Sequence, residues 1–387
     1  MKNRVGPPVS GPNYFDRPDL HRRFCRRLHA GENLYLSAPR RSGKTSFMFH
    51  LQEEPCKGYE FVYINVESER DTQTFFKRIL EEMMENGAVK KAVGTSHKVK
   101  EVFESALGKI KSIDLKLFKI DLNSQDSDNY AQAFSELLQK LDPAEFKLAL
   151  LVDEFPAAVV NIAQKHGDQE AIHFLQENRT IRQISSQAVQ LVYTGSIGLP
   201  ALVNRLRVPE LINDLNVFDV PPFTEIEASK LAEQLLKAEG VSFEEDVIQH
   251  ILNRVQWLMP FFIQLIVSDL VDRYEQSGKR ISTNDVDAAI ELSSSQRSKS
   301  HFDSYFTRLD KGLGPEKAEL ANQMLHTIAK EGAVPLEQLY AELSETEKNI
   351  RRYVLGSLEF DGYISLQADG YRFNSPILQS WWLRYAF

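Results

Sequence analysis

Four short apolar runs, each bracketed by helical patterns, constrain the fold more than any other feature of this chain. They are NLYLSA at 33–38, FVYINV at 61–66, LALLVD at 148–153 and VQLVYTGS at 189–196. Their length and their β-branched or aromatic content are those of strands buried on both faces, as parallel sheets require. Amphipathic stretches separate them, such as TQTFFKRILEEMMENG after the second run and YAQAFSELLQKL before the third. Strands alternating with helices predict an α/β domain wound around a parallel sheet. Residues 88–128 fit less well. There the polar KKAVGTSHKVKEVFESALGKIKS precedes LKLFKIDLNSQDSDN, with its short alternating strand pattern, and the two read as an insertion on the sheet's edge.

Beyond Pro221 and Pro222 the pattern becomes helical, with heptad-like apolar spacing through EASKLAEQLLKAEG, EEDVIQHILNRV and PFFIQLIVSDLVDRY. Further on, PEKAELANQMLHTIAKEG, PLEQLYAEL and ETEKNIRRYVLGSLEFDG predict three helices. YISLQADGYRF then predicts two short strands turned at Ala368-Asp369-Gly370. Three helices and a hairpin are the layout of a winged helix-turn-helix. A chain of 387 residues exceeds one ordinary core, at roughly 100–200 residues per domain. The expected division is a core over 1–221, a helical lid over 222–311 and a winged-helix domain over 312–387.

Composition bounds the environment. With 42% hydrophobic and 26% charged residues the sequence is that of an ordinary globular protein. No run approaches the roughly 18 apolar residues of a membrane span, and MKNRVGPPVSGPNYF lacks an apolar signal segment, so residence in the cytoplasm is expected. Two cysteines, Cys25 and Cys56, argue against a disulfide framework and against a Cys-ligated zinc site, and each is expected to pack as a small hydrophobe. The net charge of −8 argues against a protein coated in nucleic acid. The cluster Arg17, Arg22, Arg23, Arg26 and Arg27 reads as the solvated face of a helix starting near Pro18.

The first apolar run leads directly into Ala38-Pro39-Arg40-Arg41-Ser42-Gly43-Lys44-Thr45-Ser46, followed by the amphipathic SFMFHLQEE. This is the phosphate-loop pattern GxxxxGK(S/T) with Ala38 in place of the first glycine. Phosphate oxygens need several convergent N–H donors, which a loop entering a helix N-terminus supplies with the helix dipole behind it. Gly43 lets the backbone curl close, Lys44 can reach the β and γ groups, and the Thr45 hydroxyl can ligate Mg²⁺. Alanine at position 38 is acceptable where that residue avoids positive φ. Asp153, at the end of LALLVD, can hold a magnesium-bound water, and Glu154 can orient and deprotonate an attacking water. Thr194 or Ser196, at the end of the fourth run, can sense the γ-phosphate or simply end the strand. The expected ligands are ATP and Mg²⁺. Arg179, Arg182, Arg205 and Arg207 are the candidates for a charge-stabilising arginine finger.

GPPVSGPNYFDRPDL, APRRSGKTSF, LLVDEFP, VYTGSIGLP, WLMPFFIQ and YRFNSPILQSWW together resemble the archaeal-type ATPases in the STAND branch of AAA+-related P-loop NTPases, and the similarity spans almost the whole chain. The resemblance implies an ATPase core, a helical lid and a C-terminal winged helix used as a nucleotide-dependent switch. It also implies that Val9 and Phe15 border the adenine. In the lid, where relatives carry Gly-x-Pro against the nucleotide, this chain has Leu258-Met259-Pro260, so the proline is kept and the glycine is not.

Three outputs compete. A hydrolysing switch is favoured by the presence of Glu154. A non-hydrolysing ATP-binding scaffold would not need that acid. A DNA-binding regulator would present Lys348, Arg351 and Arg352 from ETEKNIRRYV to a groove. Against DNA, residues 313–387 hold seven Lys or Arg and ten Asp or Glu, an acidic surplus. Trp381, Trp382, Tyr385 and Phe387 either pack against the winged helix or dock on the core or on another chain, by self-association or with a protein partner.

Overall fold

The computed structural model describes residues 1–107, 129–184, 188–195, 197–295, 299–341 and 343–386. The chain forms two compact units whose boundary does not follow chain order. One comprises Arg17–Ser37 and Phe47–Asp219, and the other Met1–Asp16, Ala38–Ser46 and Val220–Phe387.

The first unit is built on a parallel sheet of β1 (Leu34–Ser37), β2 (Glu60–Asn65), β3 (Leu148–Asp153), β4 (Val189–Thr194) and β5 (Asn216–Asp219), in the order β2-β3-β4-β1-β5. The first four strands fall on the four apolar runs, and every residue of β1, β3 and β4 is buried. No expectation covered β5: it is four residues long and buries only Phe218, so it carries no strand-like apolar run. Asn65 lies opposite Asp153, Val152 opposite Tyr193, and Leu36 opposite Thr194. The C-terminal ends of β1 to β4 therefore line one edge of the sheet, where parallel sheets collect ligands.

Helices α1 (Pro18–His29), α2 (Lys44–Glu53), α3 (Thr72–Glu85), α4 (Gly87–Thr95), α5 (His97–Leu107), α6 (Tyr130–Lys140), α7 (Phe155–His166), α8 (Asp168–Gln183) and α9 (Leu199–Arg205) complete this stretch of the chain. Asp71 caps α3 by accepting from the Thr74 amide, satisfying one of the donors that a helix start leaves open. The buried ring of Phe75 packs edge to face on Phe76, Phe155 and Phe174, with centroids 4.8–5.9 Å apart. Each such ring contributes about 2–3 kcal/mol by leaving water. The described portion of the expected insertion is helical: α4 and α5 bury Val89, Val93, Val99 and Phe103. The strand-like stretch beginning at residue 115 falls in 108–128, outside the described residues.

The cysteines require a correction. Cys25 and Cys56 do not pack as separate small hydrophobes but form a disulfide, with Cα atoms 5.4 Å apart. The tertiary fold sets Cys25 of α1 beside the turn after α2, a proximity that 31 residues of sequence separation conceal. The arginines of α1 divide. Arg22, Arg23 and Arg26 are exposed, Arg27 pairs with Glu32, and Arg17 is buried.

The second unit contains α10 (Glu225–Ala238), α11 (Val247–Val255), α12 (Pro260–Ser277), α13 (Thr283–Ser293), α14 (Lys299–Leu313), α15 (Pro315–Glu331), α16 (Leu336–Tyr340), α17 (Glu345–Phe360), the antiparallel hairpin β6 (Ile364–Gln367) and β7 (Gly370–Phe373), and α18 (Pro376–Tyr385). Local chemistry fixes several starts. Thr224 with Glu227 and Ser344 with Glu347 form reciprocal capping boxes at α10 and α17, and Pro260 and Pro315 occupy the first positions of α12 and α15. One apolar cluster runs from Phe223 to Ala386. Trp381 and Trp382 are buried within it, against Phe302 and Tyr363 respectively. Of the two uses weighed for the aromatic end, internal packing accounts for both tryptophans. Phe387 lies outside the described residues. Among the described residues no helix is long and apolar enough to cross a membrane.

Candidate functional site

The phosphate-loop segment Ala38–Ser46 groups with the second unit. Gly43 has φ +90°, a left-handed conformation that a Cβ disfavours, and a Cβ there would meet Pro260 Cγ at 3.7 Å. Pro260 at the start of α12 thus stands over the loop. Arg41 also has positive φ, at +69°, whereas Ala38 is not among the left-handed residues, the condition under which alanine suits the first position. Lys44 opens α2, and its Nζ donates to the Ala38 carbonyl at 2.8 Å and the Pro39 carbonyl at 3.3 Å. The ammonium therefore spans the loop from helix to entry. Thr45 is half-buried in the same helical turn, and the Ser46 hydroxyl accepts from the Val9 amide at 3.1 Å. The Phe15 ring packs on Phe223, 5.2 Å between centroids.

Positive charge is concentrated around this loop. The Arg41 guanidinium lies over the Phe261 ring, 4.4 Å from its centroid, a cation–π contact. The Tyr305 hydroxyl donates to the Arg40 carbonyl at 3.3 Å, and the Tyr363 hydroxyl donates to the Tyr305 carbonyl at 2.6 Å. Burial, then the charges of Arg308 and Arg41, hold the Arg40 guanidinium below its ordinary range. Burial likewise pushes the Tyr305 hydroxyl up, to about 12. Ser42 Oγ, Arg41 Nε and Arg308 Nε are buried with no hydrogen-bond partner. Crowded cations and unsatisfied buried donors are an arrangement that an anion stabilises.

The acidic residues belong to the first unit. Asp153 ends β3 and is 4% exposed. One of its carboxylate oxygens accepts from the Tyr63 hydroxyl at 3.0 Å and the other from the Glu154 amide at 3.0 Å. Burial, with the charge of Asp153 second, raises the Tyr63 hydroxyl well above its ordinary range, so it remains a donor. Glu154 adopts φ +60°, ψ +30° immediately before α7. A non-glycine residue held in that region costs of order 1–3 kcal/mol and persists only where its surroundings impose it. Here Pro156 supplies one such constraint. A Cβ at Gly195 would stand 2.5 Å from Pro156 Cδ, so the turn after β4 is packed directly against the turn that carries Glu154. Thr194 is fully buried, and its hydroxyl donates to the Leu36 carbonyl at 3.1 Å. Ser196 lies outside the described residues.

Among the arginine candidates, Arg182 is buried, gripping Asp214 through Nε at 2.7 Å and Nη2 at 2.8 Å, with the Leu211 carbonyl at 2.6 Å. Arg179 donates to Asn213 Oδ1 at 3.2 Å, Arg205 is half-buried, and Arg207 is exposed with φ +60°. On α17, Lys348 pairs with Glu345, Arg351 donates to the Leu339 carbonyl, and Arg352 donates to Asn349. Sequence reasoning missed Tyr63, Gly195 and Arg308. Tyr63 carried a signal, as a hydroxyl inside an otherwise apolar strand, while the other two depend on tertiary packing.

No family model and no curated protein matches the chain. Among solved structures, the chain is similar to the Walker-type ATPase PABY2304 of Pyrococcus abyssi, with 13% identity, a TM-score of 0.63 and 99% of each chain covered. It is also similar to the ORC2 protein of Aeropyrum pernix, solved in ADPNP–ADP complexes, with 13% identity, a TM-score of 0.54, and 97% of this chain and 95% of that one covered. At such identity the likeness is one of fold. The chain has the α/β, parallel-sheet fold of P-loop ATPases with a high helical content.

Proposed function

We propose that this protein is a Mg²⁺-dependent ATPase that uses ATP binding and hydrolysis as a molecular switch. The observation that carries the proposal is the loop at 38–46, where Lys44 at a helix start, the left-handed Gly43 and buried unsatisfied donors are held together. In this reading the loop amides and Lys44 take the phosphates, while Arg40 and Arg41 supply positive field. Val9 and Phe15 border the base, and Pro260 reaches the nucleotide from the lid.

Thr45 and Asp153 would hold Mg²⁺. The chemistry fits: a hydroxyl and a buried carboxylate already oriented by two donors are hard oxygen ligands. When bound, the ion neutralises charge on the β and γ phosphates. Glu154 orients the attacking water and takes its proton, and the constrained turn fixes where its carboxylate starts. Arg179 or Arg205 is better disposed than Arg182 to act as a finger, because Arg182 is already committed to Asp214.

The proposed architecture comprises a core at 1–221, a lid at 222–311 and a winged helix at 312–387, in the manner of the STAND branch. The output is self-association or a protein partner rather than DNA. That choice is supported by the acidic surplus of residues 313–387 and by the engagement of Arg351 and Arg352 within their own unit.

Glu154→Gln tests the enzymatic claim. Phosphate release in a single turnover should fall by about 100- to 10,000-fold, the usual contribution of a general base, while ATP binding stays within a few-fold of wild type. Release at the wild-type rate would remove Glu154 from this role.

A further inference from the structure

The cysteine pair has no role in the proposed ATPase chemistry, and it has a histidine beside it. His21 and Cys25 are four residues apart on α1, hence on one helix face, and Cys56 lies in the turn between α2 and β2. One ligand atom each from His21, Cys25 and Cys56 can be chosen such that all lie within 4.8 Å of one another. The imidazole is also oriented. Its Nε2 is 2.8 Å from the Glu54 carbonyl, and since a carbonyl only accepts, that nitrogen carries the proton. Nδ1 then keeps its lone pair, and Cys25 Sγ stands 3.8 Å from each of the two ring nitrogens. A histidine whose one nitrogen is tied to a backbone carbonyl has the outer-shell support typical of metal ligands, and Nδ1 is the nitrogen left to bind an ion. The His50 ring adds a second restraint, packing edge to face on His21 with centroids 5.6 Å apart.

Two thiolates and one imidazole are a ligand set suited to Zn²⁺ and to other borderline-soft divalent ions. Zinc bonds of about 2.3 Å to sulfur and about 2.0–2.1 Å to nitrogen place tetrahedral sulfur and nitrogen about 3.6 Å apart. The 3.8 Å separation of Cys25 Sγ and His21 Nδ1 is close to that value. Two sulfurs on one zinc stand about 3.8 Å apart by the same geometry, so the disulfide must open first.

We propose that the reduced Cys25–Cys56 pair, together with His21, binds one zinc-class divalent ion, with water at the fourth position. The segment therefore exchanges between a disulfide and a metal site. Reduction by a phosphine balances as follows: the phosphine gives two electrons to the S–S bond and takes the oxygen of one water, whose two protons end on the sulfurs. Metal binding then releases those two protons as each sulfur donates a lone pair to the ion. Two cysteines alone are too few ligands, which is why the sequence argues against zinc; the histidine supplies the third.

The test uses the full chain, reduced with a phosphine under anaerobic conditions and titrated with Co²⁺ as a spectroscopic stand-in. The expected result is one Co²⁺ per chain with a thiolate-to-cobalt charge-transfer band, bleached by Zn²⁺, and no such band in the unreduced protein. Cys25→Ser should abolish the band. His21→Ala retains both thiols and should weaken Zn²⁺ binding about tenfold or more, with folding verified by circular dichroism. A reduced wild type without the band, a band undiminished in Cys25→Ser, or unchanged Zn²⁺ affinity in His21→Ala would each overturn the proposal.

Discussion

The loop at 38–46 and the acidic strand end at 153–154 solve opposite electrostatic problems by different means. The loop gathers positive charge, with Arg40, Arg41 and Lys44 in succession and Arg308 near Arg40, and leaves buried donors unmatched. The strand end holds negative charge, and both oxygens of Asp153 are already matched by donors, from Tyr63 and from the amide of Glu154. Unmatched donors are costly to bury and so favour an anionic ligand, whereas a pre-satisfied carboxylate is held in place at little cost. Under the proposed function, affinity lies with the loop and rate with the strand end.

That division can be broken by substitutions that strike one region and spare the other. The largest effect is expected from Gly195→Val, whose Cβ would enter the space of Pro156 Cδ, 2.5 Å away. Displacing the Glu154 turn by an ångström should lower turnover about 100-fold while ATP affinity is kept. A parallel melting curve would show whether overpacking, typically about 1–3 kcal/mol, has instead unfolded the protein. Next in size is Gly43→Val. A β-branched residue at φ +90° is strained by about 1–3 kcal/mol, so ATP affinity should fall roughly tenfold with little change in the rate from the bound state. Calorimetric titration separates the two, and a variant that loses rate but not affinity would reverse the assignment. Tyr63→Phe should have the smallest effect. It removes one donor to Asp153, costs about 1 kcal/mol in stability, and raises the Mg²⁺ concentration needed for half-maximal hydrolysis by a few-fold. An unchanged Mg²⁺ requirement would mean that the hydroxyl does not position the carboxylate.

Much of the frame was legible in the sequence for a physical reason. Strands buried on both faces must be apolar throughout, so β1, β3 and β4 announce themselves, and a loop between such a strand and a helix has few conformations to choose from. What escaped reading depends on contacts across long separations. β5 is held by pairing with β1 and not by its own composition, since only Phe218 among its residues is buried. The close approach of Gly195 to Pro156 and the meeting of Cys25 with Cys56 likewise exist only once the chain is folded. The helices α4 and α5 were hidden by their polar faces, although Val89, Val93, Val99 and Phe103 recur at helical spacing. The proposed site followed the same rule: Lys44, Thr45 and Asp153 are candidates from local pattern, and the Tyr63 hydroxyl that donates to Asp153 is visible only in the fold.

On the proposed function the loop at 38–46 binds the phosphates of ATP through Lys44. Equilibrium titration of the wild type and of Lys44→Ala with ATP, with and without Mg²⁺, tests it directly. Saturable binding by the wild type and a loss of about 100-fold or more in the variant are expected, since a charged group facing phosphate contributes about 3 kcal/mol. Undiminished ATP affinity in Lys44→Ala would contradict it.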